Sequence, residues 1–310
     1  MSEFHSDNNS LARKSQALHM RAKIIQSMRL FFIEKGFLEV ETPLRIPAPA
    51  PEEHIEAIRS EDWFLQTSPE LCMKRLMAGG YPQIFQIGKC FRAGERGDRH
   101  LPEYTMLEWY VAGFDYQQLM TQCEEMIWAI ARDLEITEIN RQNKNVSLSP
   151  PWERITVADA FLQYAPVSVD DAMARDIFDE MLVDYIEPQL GVGRPTFIYD
   201  YPVALAALAK LKDNHSSVSE RFELYIGSME IANGFSELTD AKEQRRRFED
   251  ALKKRAAKNR AHYNMPEKFL QALDNLPPCA GIALGIDRLV MIMTGASSID
   301  DVVAFTPENL

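Results

Sequence analysis

Residues Gln83–Arg92 and Glu103–Val111 read as two long strands joined by the polar loop Arg92–His100, RAGERGDRH. Strands linked directly by a short loop run antiparallel, because a parallel return needs a crossover of a dozen residues or more. A second hairpin is predicted over Arg221–Leu238, turning at Gly227-Ser228. The chain closes with a strand, Gly281–Ile286, leading into a helix over Asp287–Thr294. Helical segments interrupt these hairpins without any regular strand–helix–strand alternation. That pattern predicts an α+β domain, an antiparallel sheet flanked by helices, rather than a doubly wound sheet.

The helices are read from spacing. Ile24, Ile25, Met28, Phe31 and Phe32 recur at helical intervals, and Gly36 follows as a stop. A short strand, Phe37–Glu41, runs into Thr42-Pro43. Thr67-Ser68-Pro69-Glu70 predicts a helix start, with a hydroxyl cap, a proline near the first turn and an acid placed to cap back. Asp115 to Asp133 reads as an amphipathic helix through Leu119, Met120, Cys123, Met126, Ile127 and Ile130. Residues 140–195 are read as helices and loops, weakest in order over Asn143–Pro151. Residues 1–14 are expected to form a flexible tail and 15–310 a single domain.

Composition removes several classes. No apolar run approaches the roughly 20 residues of a membrane span, and the N-terminus is polar, so a soluble, cytoplasmic chain is expected. Cys72, Cys90, Cys123 and Cys279 are scattered, with no CxxC pair, which favours buried thiols over zinc ligands or disulfides. A net charge of −12 argues against a generic nucleic-acid binder, since phosphate contacts need clustered cations. Two basic stretches remain: the loop Arg92–His100, and Lys242–Arg260, which reads as a solvated helix behind an Asp240/Glu243 capping pair.

Period-two geometry exposes the residues that carry chemistry. On the strand Glu103–Val111, one face presents Thr105, Leu107, Trp109 and Val111 for packing; the other presents Tyr104, Met106, Glu108 and Tyr110. A glutamate between two tyrosines suits either a solvated face or a buried one with a cationic partner such as a ligand amine. On the second hairpin a turn at Gly227-Ser228 sets Tyr225 opposite Glu230, with Glu223 diagonal to Glu230. Two carboxylates so placed suit a hard divalent ion that also binds phosphate oxygens, or else form an exposed acidic hairpin. Asn233 and Glu237 continue that strand. Arg288 stands in the first turn of the last helix, where arginine and helix N-terminus both suit phosphate; its alternative is an ion pair with Asp287 or a neighbour.

In this order, these segments resemble the catalytic core of class II aminoacyl-tRNA synthetases, and specifically the lysyl branch, over about residues 15–310. The segment ending at Pro43 is similar to motif 1, which in that fold builds the dimer interface; CFRAGERGDRHLPEYTMLEWY is similar to motif 2 and GIALGIDRLVM to motif 3. FELYIGSMEIANGFSEL is similar to the lysyl-enzyme stretch between them. The resemblance implies ATP and Mg2+ as cofactors and roles for individual residues. Arg92 would hold the α-phosphate and the amino-acid carboxylate, His100 and Arg288 the outer phosphates, and Tyr104 the adenine, with Glu95 also at the ATP site. Glu223 and Glu230 would ligate magnesium. Glu70 would bind the amino group near the carboxyl end and Asn233 the carboxylate. Glu108, Tyr110 and Glu237 would surround the terminal amine. Two departures stand out: Gly94 occupies the usual motif 2 glutamate position, one residue before Glu95, and Leu101 replaces the usual asparagine.

A lysyl-tRNA synthetase places an anticodon-binding domain before motif 1, and none is expected here. The chain therefore resembles the truncated paralogues known as elongation factor P–lysine ligases. Those enzymes activate lysine, preferably (R)-β-lysine, and transfer it to a lysine side chain of elongation factor P. Ser68 and Ala283 stand where the tRNA enzymes tend to have alanine and glycine. A methyl at Ala283 would crowd the wall near the amino acid's backbone end, and an amino group moved from the α to the β carbon would relieve it. The resemblance thus implies a homodimer, (R)-β-lysine or lysine as substrate, elongation factor P as partner and no stable tRNA binding. A truncated enzyme charging tRNA, a non-catalytic amino-acid sensor and an amide-forming synthetase for a small acid remain as alternatives.

Overall fold

The computed structural model describes residues 11–141, 144–213 and 215–310. In chain order the strands are β1 (Leu38–Glu39), β2 (Arg45–Ile46), β3 (Arg59–Ser60), β4 (Trp63–Leu65), β5 (Gln83–Phe91), β6 (Glu103–Ala112) and β7 (Glu138–Arg141). They continue as β8 (Lys144–Ser147), β9 (Glu153–Thr156), β10 (Thr196–Pro202), β11 (Leu211–Lys212), β12 (His215–Tyr225), β13 (Glu230–Ser236) and β14 (Cys279–Gly285). One nine-stranded sheet has the order β1-β5-β6-β14-β13-β12-β10-β9, with β11 on β12. The pairs β1–β5 and β9–β10 are parallel and the remaining pairs of that sheet antiparallel. The last strand in sequence thus sits between the two long hairpins and joins them.

One face of this sheet is the main core. Leu107, Trp109 and Val111 of β6 pack there with the helices Ser15–Glu34, Tyr116–Asp133 and Ile286–Thr294. Phe32 stacks on Phe85 with ring centroids 4.8 Å apart and lies 5.2 Å from Trp109, which is fully buried. Burial of aromatic area on this scale, at about 25 cal/mol per Å², is the main force joining helix to sheet. The helix Tyr116–Asp133 has a full capping box: Asp115 accepts from Gln117 and Gln118 N–H at 2.9 Å, and the Gln118 side chain accepts from Asp115 N–H at 3.0 Å. Cys90, Cys123 and Cys279 are buried thiols, and Cys72 is half-buried.

Several expectations need correction. Residues 140–195 contain the β7–β8 hairpin and strand β9 as well as helices. These strands are four residues each and largely polar, too short for a period to show. Asn143 lies outside the described residues, but Val146 and Leu148 just after it are buried and Trp152 Nε1 donates to Leu148 O at 2.9 Å. Residues 1–10 of the expected tail lie outside the described residues; Leu11–Arg13 are helical, and Lys14 Nζ donates to Val303 O at 3.2 Å. The helix Glu70–Ala78 starts one residue beyond Pro69 and is not a capping box: Ser68 Oγ accepts the Glu70 N–H at 3.0 Å, but the Glu70 carboxylate turns to Lys74. The helix Ala241–Ala257 is capped by Asp240, whereas Glu243 pairs with Arg246 and Arg247. Most of its surface is solvated, but Gln244, Phe248 and Arg255 are buried.

The β12–β13 hairpin turns as expected, with Gly227 at φ 58° and Ser228 at φ 59°, the left-handed pair a two-residue turn requires. The expected pairing of Tyr225 with Glu230 is present, but the register shifts immediately beyond it. Leu224 pairs with Ala232 and Glu223 with Asn233, so Ile231 is an extra residue in a β-bulge. The bulge reverses the parity of β13. Glu230 before it and Asn233 and Phe235 after it consequently face the same side.

Candidate active site

Opposite the helical core face, the alternate residues of β6, β12, β13 and β14 line a cavity of about 410 Å³. The helix Glu70–Ala78, the loop around Glu52 and the loop Arg92–Leu101 close its sides. Every candidate residue lines it except Glu237, which lies behind the lining against Gly281. Glu237 is only 3% exposed, and a Cβ on Gly281 would stand 2.6 Å from its Oε1 and against the Tyr110 ring. Only glycine permits that approach.

At this end the chemistry is an excess of buried acid. Glu108 is 1% exposed, so the solvated-face alternative for β6 is overturned. Ser68 Oγ donates to its Oε1 at 2.6 Å and Tyr110 OH to its Oε2 at 3.0 Å. Burial, then the charge of Glu70, pushes the Glu108 carboxyl up to about 8, against both hydroxyl donors. Lys74, buried in the same helix as Glu70, pairs with Glu70 at 2.5 Å and with Glu237. Its ammonium also lies 5.1 Å from the centre of the Phe235 ring. Burial raises Glu237 to about 8, while Lys74 pulls it down. Glu237 Oε2 meets Lys74; its Oε1 is buried with no partner among the described residues. Three carboxylates thus share one ammonium, a deficit of positive charge that a ligand amine would fill.

The other end is cationic. Arg92 lies over the Tyr104 ring at 5.3 Å, and its Nε is buried with no partner among the described residues. Tyr104 OH donates to Thr67 O at 2.9 Å. Gly94, at φ 77°, turns the loop so that Glu95 comes to 3.7 Å from Arg92. The displaced glutamate is thereby returned to the cavity, and a left-handed turn is why glycine stands there. Leu101 is buried in the main core. Arg288 donates to Glu230 Oε2 at 3.1 Å and to His100 Nε2 at 2.6 Å. A guanidinium only donates, so Nε2 must be an acceptor. Burial and the Arg288 charge lower the His100 pKa, in keeping with a neutral ring. The alternative pairing of Arg288 with Asp287 does not occur: Asp287 accepts from Arg21 at 2.5 Å and from the Thr105 N–H at 2.8 Å.

The two carboxylates of the β12–β13 hairpin, Glu223 and Glu230, also line the cavity. Glu223 is buried, which excludes an exposed acidic hairpin. Arg221 donates to Glu223 Oε1 at 2.6 Å and to Asn233 Oδ1 at 3.2 Å, and Tyr225 OH donates to Glu223 Oε2 at 2.9 Å. Burial raises the Glu223 pKa, partly offset by Arg221. Ala283 is paired with Glu108 on one side and Asn233 on the other, on the cavity floor.

Three participants were not anticipated. Arg221 is two residues before Glu223, so period two alone puts it on the same face. Lys74 is four residues after Glu70, where a helix makes them neighbours. Glu52 lies in an irregular loop, where no periodic signal exists.

A largely antiparallel sheet with an arginine just past β5, another in the first turn of the helix after β14, and an acidic pocket at the opposite end of the same cavity defines the class II synthetase catalytic core. Residues 7–309 match the family model of class II tRNA synthetases (D, K and N), and the chain belongs to that family. The elongation factor P–(R)-β-lysine ligase of Proteus mirabilis (strain HI4320) is 38% identical over 303 residues, covering 92% of this chain and 93% of that protein. The ligase of the same name from Hamiltonella defensa is 38% identical over 307 residues, 93% of this chain and 94% of that protein. The lysine–tRNA ligase of Moorella thermoacetica is also 38% identical, over 318 residues, 94% of this chain but 65% of that protein.

Proposed function

We propose that this chain uses ATP to activate (R)-β-lysine, in preference to lysine, as an aminoacyl-adenylate and passes it to a lysine side chain of elongation factor P. The observation that carries the amino-acid assignment is the acid excess of Glu70, Glu108 and Glu237 around the ammonium of Lys74. The acceptor assignment is supported by relatives of that name matched over more than nine-tenths of their own length.

In this reading the terminal amine enters beside Glu108 and Tyr110, with the unpartnered Oε1 of Glu237 behind them at Gly281. Glu70 and Ser68 face the amino group at the backbone end, and Asn233 the carboxylate. Arg92 supplies its unpartnered Nε–H to the α-phosphate or carboxylate, so negative charge growing at phosphorus during attack meets a donor already in place. Tyr104 and Glu95 hold the adenosine portion, and Arg288 with neutral His100 receives the outer phosphates. No covalent enzyme intermediate is required; positioning and charge neutralisation suffice. Glu223 and Glu230 suit magnesium, which takes one or two carboxylates together with water and phosphate oxygens. When bound, it would neutralise phosphate charge.

The same reading includes a cytoplasmic homodimer. Leu30, Ile33, Leu38 and Leu44, in the motif 1 segment, are 56%, 57%, 48% and 44% exposed, apolar side chains that a second copy would cover. No helix among the described residues is long and apolar enough to cross a membrane.

The test is incubation with ATP, (R)-β-lysine and elongation factor P, followed by mass spectrometry of the factor. Addition of one lysyl mass to a lysine side chain is expected. Charging of tRNA without modification of the factor would transfer the assignment to a lysine–tRNA ligase, and absence of adenylate would leave an amino-acid sensor.

A further inference from the structure

The loop between β2 and β3 carries a carboxylate that neither end of the proposed binding mode uses. Glu52 is half-buried and lines the cavity, and its side chain has no hydrogen bond or ion pair among the described residues. The other loop glutamates are committed elsewhere: Glu53 pairs with Lys254 and Lys258, and Glu56 with Arg255.

The loop backbone is held from several sides. Arg255, buried, donates to the carbonyls of Glu52 at 2.8 Å and Ile55 at 2.7 Å, and to Glu56 Oε2 at 2.8 Å. Tyr263 OH accepts the Ala57 N–H at 2.7 Å, and Glu56 O accepts the N–H of Ala93, beside Arg92, at 2.7 Å. A buried guanidinium is tolerated only when its donors are satisfied, and here the loop satisfies most of them. The result is a fixed loop presenting one uncommitted carboxylate to the cavity.

The charged groups around that carboxylate come from three elements. They are Arg92 and Glu95 from the loop after β5, Glu70 from the helix and Arg221 from β12, while on its own loop the titratable neighbour at the cavity is His54. Arg92 and Glu70 are the residues proposed to hold the reacting carboxyl and its neighbouring amine. Glu52 therefore stands at the reacting end of the amino acid.

We propose that Glu52 is the base that deprotonates the acceptor amine in the transfer step. This rests on the reading that the adenylate is passed to a lysine side chain. Such an amine arrives as an ammonium, with a pKa of about 10.4, and has no lone pair for attack. Glu52 takes one of its protons. The freed lone pair attacks the adenylate carbonyl carbon; the C–N bond forms, the C–O bond to phosphorus breaks, and AMP leaves with that electron pair. The second N–H proton passes to solvent as the amide forms. The other cavity carboxylates are engaged by protein donors: Glu70 by Lys74, Glu95 by Arg92, Glu108 by hydroxyls, Glu223 and Glu230 by arginines. Burial, opposed by Arg92, pushes the Glu52 carboxyl up to about 7, the range in which a base works best near neutral pH.

The test compares two nucleophiles on the same preformed adenylate, in the wild type and in Glu52→Gln. Elongation factor P presents a protonated amine, whereas hydroxylamine is already unprotonated at neutral pH and needs no base. Single-turnover transfer to the factor by Glu52→Gln should fall about 10²–10⁴-fold at pH 7, and the deficit should shrink as pH rises toward the amine's own pKa. Hydroxylamine trapping should fall far less, and Glu52→Asp should recover part of the transfer rate. Equal slowing of both nucleophiles would make Glu52 a binding residue and overturn the proposal, as would an unchanged rate and pH profile. A wild-type adenylate that hydroxylamine traps but the factor never receives would instead overturn the acceptor reading, and the base with it.

Discussion

Ser68 Oγ donates to Glu108 Oε1 at 2.6 Å while accepting the Glu70 N–H at 3.0 Å, so one hydroxyl ties the helix start to the acid at the centre of β6. A hydrogen bond to a charged group contributes about 1.5–3 kcal/mol. Ser68→Ala removes the donor and leaves Glu108 with Tyr110 alone. The KM for the amino acid in pyrophosphate exchange should rise by roughly 10- to 100-fold. Because the lost bond favoured the ionised form, the pH at which binding improves should also move upward. An unchanged KM at every pH would deny Ser68 any hold on the amine pocket.

The raised carboxyls fix the sign of two pH effects. Glu108 and Glu237 both titrate at about 8, and an ammonium ligand needs them ionised. Amino-acid affinity should therefore strengthen from pH 6 to pH 9, with protons released on binding, which calorimetry in buffers of different ionisation enthalpy measures. Stability runs the other way. A glutamate raised from an unfolded value of about 4.3 leaves the folded state holding more protons between that pH and 8, so stability falls as pH rises through this window. Glu108→Gln should melt above the wild type at pH 9, and the gap should close toward pH 5. A gap that widens on acidification would contradict the assignment.

Among the described residues, Lys74 is the only ammonium paired with Glu70 and Glu237. Lys74→Met keeps the apolar stem and removes the charge, leaving two buried carboxylates without their partner. Breaking a buried pair in this way costs about 3–5 kcal/mol. Urea unfolding at pH 7 should register that loss, and Glu70→Gln added to Lys74→Met should recover part of it. Additive destabilisation by the double variant would mean the pair is not coupled.

Legibility followed periodicity. The faces of β6 could be read because alternation is unbroken from Tyr104 to Val111, and Leu107 and Trp109 fall on the packed side while Glu108 falls on the cavity. What alternation could not supply was whether Glu108 met water or a cavity, since that depends on helix Glu70–Ala78 closing over it. On β13, alternation could not show which side Asn233 faces: the extra residue at Ile231 reverses parity, and no side chain in that stretch announces a bulge. Asn233 and Glu237 stand in the sequence as polar groups continuing that strand, and the family resemblance supplies their roles. Residues acting through irregular backbone stayed hidden. Glu52 owes its position to Arg255, 203 residues later, a relationship that only the tertiary fold creates.

The clearest test of substrate choice lies on β14. Ala283 stands across from Glu108 on one side and Asn233 on the other, so its methyl projects from the cavity floor between the group proposed for the terminal amine and the one proposed for the carboxylate. A methyl there shortens the space beside the α carbon more than that beside the β carbon. Shape discrimination by one methyl amounts to about 1–3 kcal/mol, or roughly 10- to 200-fold in kcat/KM. Ala283→Gly should therefore raise kcat/KM for lysine relative to (R)-β-lysine by up to that factor. It should leave the KM for ATP nearly unchanged, because Arg92, His100 and Arg288 are untouched. Pyrophosphate exchange with each amino acid measures both quantities. An unaltered ratio would remove Ala283 from the specificity argument, and a loss of ATP affinity would show instead that the floor of the cavity had moved.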